Sequence, residues 1–157
     1  MNRFVLILML TVALFLVACA PTQKDSAVGT DTVDLTRTES QGEVTLKITP
    51  LNLENPGRTL KFEVVLDTHT VELDMDLATL ATLTTDTGLT LQPTLWDGPK
   101  GGHHAEGTLA FPATLDEKSI LDGAKQLTLT ISNVENATST FTWDLGTKYP
   151  FLSKEAV

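Results

Sequence analysis

From Glu43 onward, apolar and polar residues alternate with a period of two. Val44, Leu46 and Ile48 are interleaved with Thr45, Lys47 and Thr49, the pattern of a strand with one buried face. Leu60, Phe62, Val64 and Leu66 repeat it, and Val71, Leu73, Met75 and Leu77 then face one way while Glu72, Asp74 and Asp76 face the other. Leu89-Thr90-Leu91-Gln92, Thr108-Leu109-Ala110-Phe111, the trio Leu127, Leu129, Ile131 and the trio Phe141, Trp143, Leu145 continue the series. Between them lie turn-forming runs: Asn55-Pro56-Gly57, Asp86-Thr87-Gly88, Asp97-Gly98-Pro99, Asp122-Gly123 and residues 133–137. Short, evenly spaced strands of this kind predict an all-β, antiparallel sandwich of seven or eight strands over residues 43–147. The most helix-like stretch is residues 76–83, where Leu77, Leu80 and Leu83 recur every third position and predict one helical turn crossing between sheets.

The first residues follow a different pattern. Met1-Asn2-Arg3 is a short positive start, and residues 4–18 form an apolar run relieved only by Thr11, the layout of an export signal. That run is shorter than the roughly 20 apolar residues a membrane-spanning helix needs. It ends in Leu16-Val17-Ala18-Cys19, which resembles the lipobox of bacterial lipoproteins. The resemblance implies cleavage after residue 18 and a diacylglyceryl group on Cys19, so that the partner of this end is a membrane reached through lipid. One acyl chain binds membranes only marginally, and the two or three of a lipoprotein cysteine hold it in place. Ala20, where sorting signals would place Asp, implies the outer membrane in a host with two membranes. Residues 19–42 then read as the acylated cysteine and a flexible polar linker, rich in Ser, Thr and Gly. Residues 148–157 read as a tail, with Tyr149-Pro150-Phe151 packing back on the domain. Taken together, the arrangement resembles the immunoglobulin-like domains, of unknown function, carried by small bacterial lipoproteins. The Cys-Trp-Cys framework of true immunoglobulin domains is missing, so the likeness implies an architecture and no activity.

Charge and cysteine content narrow the function further. The 157 residues carry 20 acidic against 11 basic side chains, a net charge of −9, with no basic cluster, which excludes a nucleic-acid binder. The single cysteine excludes an internal disulfide framework and a Cys-x-x-Cys zinc site.

The three histidines are the most informative polar residues. Apolar parity runs on even numbers through Leu66 and on odd numbers from Val71, so the chain turns between them and places Asp67-Thr68-His69-Thr70 at a strand end. His103 and His104 sit in a long Gly-rich connection over residues 97–107, off any regular strand, where adjacent rings can converge. Imidazoles beside Asp67 or Glu106 would suit Cu(II) or Zn(II). Convergence depends on chain direction. If residues 80–85 form a strand paired to Leu89 onward, the His69 and His103 loops fall at opposite ends; if residues 76–83 are only a crossover, both loops reach the same end, and the Asp86-Thr87-Gly88 turn leans to the first case.

Other motifs carry less. Asp86-Thr87-Gly88 matches the Asp-Thr-Gly triplet of aspartic proteases, but sits where a hairpin needs its turn. The Glu72, Asp74, Asp76 ladder offers calcium ligands and reads as a solvated face. Trp143 alternates with core residues, whereas Trp96 beside Asp97 is the exposed candidate for a ligand loop. Asn136-Ala137-Thr138 fits a glycosylation sequon without consequence in a bacterial lipoprotein. No Gly-x-Ser-x-Gly elbow or phosphate-cradling loop occurs. The expectation is a lipid-anchored, extracytoplasmic, non-enzymatic binding module. Its partner is an envelope protein or small ligand at a sheet edge or at the Trp96, Asp97 and Glu106 loop. The alternative is a copper- or zinc-binding lipoprotein using His69, His103, His104 and Asp67.

Overall fold

The computed structural model describes residues 34–146. The signal segment, Cys19, most of the expected linker and the tail with Tyr149-Pro150-Phe151 lie outside them. Among the described residues, no helix is long and apolar enough to cross a membrane.

The chain forms the expected antiparallel sandwich. Its strands are β1 (Arg37–Gln41), β2 (Val44–Pro50), β3 (Thr59–Thr68), β4 (Ala81–Thr85), β5 (Thr90–Leu91), β6 (Leu95–Trp96), β7 (His104–Pro112), β8 (Thr114–Leu115), β9 (Lys118–Ser119), β10 (Gln126–Val134) and β11 (Ala137–Asp144), with one short helix, α1 (Leu77–Leu80). One sheet has the order β1-β2-β3-β7-β6, the other β11-β10-β4-β5, and β8-β9 is a separate hairpin. Seven strands have five residues or more, and the rest are two-residue pieces.

Alternation accounts for the long strands. Val44, Leu46 and Ile48 of β2, Leu60, Phe62, Val64 and Leu66 of β3, and Leu127, Leu129 and Ile131 of β10 are all buried. On the outer face of the second sheet, Thr82, Thr84, Thr128, Thr130, Thr140 and Thr142 take the alternate positions, which suits a β-branched residue on a solvated pleat. Phe62 meets Phe111 of its own sheet edge-on, ring centroids 5.8 Å apart, and Trp143 of the other sheet at 5.3 Å, where the two sheets pack together. Each such side chain contributes about 1.5–3 kcal/mol by leaving water.

Residues 71–76 are the first departure from expectation. Leu73 and Leu77 are buried, as the parity demands, yet the segment is not a strand. The Thr68 hydroxyl accepts from Thr70 N–H and Val71 N–H at 3.3 Å, a local turn that competes with a ladder. Asp76 then caps α1, its side chain accepting from Ala78 N–H at 3.0 Å. The expected crossing turn is therefore present, shorter than residues 76–83, and β4 follows it directly.

The second departure is β1, which lies within the stretch read as linker. It pairs with β2 from Arg37↔Ile48 to Gln41↔Val44, and Gly42, at φ 56°, takes the first position of the connecting turn, where a positive φ favours glycine. No apolar alternation marks it, because its inner side chains serve hydrogen bonds rather than the core. Arg37 Nε donates to Thr142 O at 3.3 Å, Glu39 Oε2 accepts from Thr140 N–H at 3.3 Å, and Gln41 Nε2 donates to Thr138 O at 3.4 Å. Beyond the two ends of this row, Trp143 Nε1 donates to Leu35 O at 2.7 Å and Glu135 Oε2 accepts from Glu43 N–H at 2.8 Å. Side chains of one sheet thus close the seam on backbone groups of the other.

Candidate functional site

The histidine-bearing end is set by the β3–β7 pair, whose register runs from Thr59↔Pro112 to Asp67↔His104. His104 is the first residue of β7, not part of an irregular loop, and its cross-strand neighbour is Asp67. Its Nδ1 lies 2.5 Å from Asp67 Oδ1, and its Nε2 lies 3.9 Å from Glu106 Oε2, two residues along on the same face. The Asp67 hydrogen bond, then the Asp67 charge and to a smaller extent Glu106, hold the imidazole above the ordinary histidine value against a small opposing effect of desolvation. The His104, Asp67 and Glu106 side chains are each 59% exposed, so salt and water screen the pairing.

Beside this trio the two histidine loops meet. Thr68 N–H donates to His103 O at 2.9 Å, so the residues flanking His69 and His103 lie at one end of the sandwich. This corrects the chain-direction expectation, although its premise holds: β4 does pair with β5 across Asp86-Thr87-Gly88. The reason is that residues 71–76 do not traverse a sheet. In addition, β5 and β6 run the same way, with the chain changing sheets at Gln92-Pro93-Thr94, where Pro93 has no N–H to leave unpaired. The β6–β7 connection is then anchored. Gly101 N–H donates to Leu73 O at 2.7 Å, Leu73 N–H donates to Gly102 O at 2.9 Å, and Gly102 N–H donates to Glu72 Oε1 at 2.7 Å. Gly101 and Gly102 have φ of 89° and 85°, which side chains rarely adopt.

The acidic ladder does not act as one. Glu72 holds Gly102, while Asp76 caps α1 and pairs with Lys100 at 3.8 Å. Nor do the histidine carboxylates converge: Asp67 and Glu106 approach opposite nitrogens of the His104 ring, so the three cannot share one cation in this arrangement. Among the described residues, no group of three or more His, Cys, Asp or Glu side chains is placed to hold a metal ion. His69 and His103 are exposed.

Of the expected ligand-loop residues, Glu106 faces His104, and Trp96 and Asp97 also hold their loop against β7. Trp96 is half-buried against the core. A side chain on Gly98 would collide with the Trp96 ring, and one on Gly107 would run into the Gly98 backbone, so ring, loop and strand are stacked with no room for a Cβ. Asp97 N–H donates to Thr108 O at 3.3 Å and its carboxylate accepts from Thr108 N–H, ending the pairing on that side of β7. Gly107, directly before the Thr108-Leu109-Ala110-Phe111 alternation, is a sequence signal that could have marked this close approach. Leu95, on the same two-residue strand, is 50% exposed, and sequence alternation did not mark it. Asp86, of the protease-like triplet, accepts Lys125 N–H at 2.9 Å and Gln126 N–H at 3.2 Å, and these backbone bonds hold its carboxyl below the usual range.

The fold so described is an antiparallel all-β sandwich. No family model matches the chain, and no curated protein matches it. Among solved structures it is similar to a DUF4426 family protein from Pseudomonas aeruginosa PAO1, at 11% sequence identity and a TM-score of 0.42, with 69% of this chain and 93% of that chain covered.

Proposed function

We propose that the protein is a lipid-anchored, extracytoplasmic module of the bacterial envelope that acts by binding another envelope component, without turnover. The anchor follows from the charged start, the apolar run and Leu16-Val17-Ala18-Cys19. The observation that carries the binding surface is the β6 side of the first sheet. There a two-residue edge strand, half-exposed Leu95 and Trp96 border the end of β7, whose outer pairing stops at Thr108. A short edge with an apolar residue beside it, next to the Asp67, His104 and Glu106 face, fits a protein partner contacting both strand edge and side chains.

Two experiments test the two halves. Palmitate labelling in cells should mark the intact chain and vanish in Cys19→Ser; persistent label in that variant would remove the anchor. A photo-crosslinking residue placed at Leu95 should give a discrete adduct in the envelope that is missing when the residue is placed at Thr82. Equal adducts at both positions, or none at Leu95, would remove the β6 side as the binding surface.

A further inference from the structure

We propose that β1 is an exchangeable strand, and that the acceptor it occupies takes the β1 of a second copy of this chain. This inference does not depend on the β6-side reading. It rests on how β1 is held.

All five residues of β1 are polar and none is fully buried, while its neighbour β2 buries Val44, Leu46, Ile48 and Pro50. The buried core cluster contains no β1 residue. Removing β1 takes with it only Leu35 from the margin of the core and leaves β2-β3-β7-β6 and β11-β10-β4-β5 with the buried cluster intact. What β1 supplies is a ladder to β2 and the row of Arg37, Glu39 and Gln41 on the backbone of β11. Every one of these bonds is specified by backbone direction and by long polar side chains at alternate positions. An incoming strand must reproduce that pattern to fill both edges, and a second copy carries it identically.

Exchange costs little, because each bond lost within one chain is regained between two. The connection that must open is the two-residue turn at Gly42 and Glu43. Glycine at position 42 can extend as readily as turn. The closed form is secured by Glu135 on Glu43 N–H, a contact of the turn that opening gives up, and by Trp143 on Leu35 O, which travels with β1 and re-forms in an exchanged pair. Copies concentrated on one membrane surface would favour the pair by mass action.

The cross-strand neighbours Ser40 and Thr45 provide the test, since their hydroxyls are 3.1 Å apart and exposed. Full-length chains carrying only Ser40→Cys are produced together with full-length chains carrying only Thr45→Cys, and peptides are mapped by mass spectrometry so that any disulfide through Cys19 is recognised separately. The proposal expects a disulfide joining position 40 of one copy to position 45 of another in the mixture, several-fold above the 40–40 and 45–45 links that random collision would give there. The double variant Ser40→Cys/Thr45→Cys serves as the second measurement. An intrachain link there with no interchain link in the mixture shows that β1 stays on its own chain and overturns the proposal. No 40–45 link in either sample would show that β1 is not seated on β2, and overturns it equally.

Discussion

The two sides of the sandwich are finished in opposite ways. On the β1–β11 side, five side chain–backbone contacts join the sheets: Arg37, Glu39 and Gln41 of β1 bond to the backbone of β11, and Glu135 and Trp143 bond back to Glu43 N–H and Leu35 O. On the β5–β6 side, two strands of two residues each end the sheets, and Leu95 stands half-exposed. An edge strand offers unpaired backbone groups to any passing chain, and the two sides represent two remedies: occupy those groups, or keep the edge short. The first remedy joins the sheets and the second leaves them free to receive something.

The contrast is sharpest for two apolar residues, one on each side. Trp143 is fully buried, packs on Phe62 and donates to Leu35 O, so Trp143→Ala removes both a large contact and the seam's terminal bond. Its expected cost is about 3–5 kcal/mol, enough to consume much of a small domain's stability. Leu95→Ser on the opposite side should change stability by no more than about 0.5 kcal/mol. Urea unfolding of both variants checks the pair, and a Leu95→Ser cost matching that of Trp143→Ala would erase the distinction between sides.

Next in size is the seam itself. Arg37, Glu39 and Gln41 make long bonds of 3.3, 3.3 and 3.4 Å from partly exposed positions, so each is worth no more than about 0.5–1.5 kcal/mol. Changing all three to Ala is expected to cost about 1–3 kcal/mol in total, read by urea midpoint, with hydrogen exchange quickening first in β1 and along β11. Uniform loss of protection across both sheets would mean that β1 is no separate unit.

How much of this was legible in the sequence follows from what drives each part. Strands β2, β3, β10 and β11 place apolar residues on one face, and hydrophobic burial leaves a period of two that can be read directly. Strand β1 has no such period, because Arg37, Glu39 and Gln41 act on the backbone of residues about a hundred positions away, and no local pattern records a partner that distant. The parity of Val71, Leu73, Met75 and Leu77 marks inward-facing positions, of which Leu73 and Leu77 are buried, but not a strand: extended chain with alternate residues turned inward need not pair, and here the Thr68 hydroxyl turns it aside. That one segment reversed the expected direction of everything up to β7, and with it the separation of the His69 and His103 loops. Asp67 and His104 lie 37 positions apart in sequence, and only the β3–β7 register makes them neighbours.

A smaller effect of opposite sign lies within the closed side. Ser139 on β11 is 1% exposed, and its hydroxyl has no hydrogen-bond partner among the described residues. Burying an unsatisfied hydroxyl costs about 1–3 kcal/mol, part of which Ser139→Ala recovers with little change of volume. The variant is expected to be more stable by about 1 kcal/mol in urea, and a destabilised Ser139→Ala would show that the hydroxyl has a partner after all.

On the open side the finest test is electrostatic. Asp67, by hydrogen bond and charge, raises the His104 imidazole above its ordinary value, and Glu106 adds to this. A histidine whose folded value is raised binds its proton more tightly when folded. The resulting stability is fully present below the unfolded histidine value, near about 6.5, and is lost as pH rises through the raised folded value. With the paired side chains 59% exposed, the thermodynamic effect is small and shrinks with salt, so the direct measurement is an imidazole titration by NMR. His104 is expected to titrate above the ordinary value in the intact protein. In Asp67→Asn its midpoint should fall most of the way back, and in Glu106→Gln by less, because Asp67 contributes both the hydrogen bond and the nearer charge. If Glu106→Gln lowered the midpoint more than Asp67→Asn, the ring would be held by its own strand, and the β3–β7 register would no longer explain how this end is assembled.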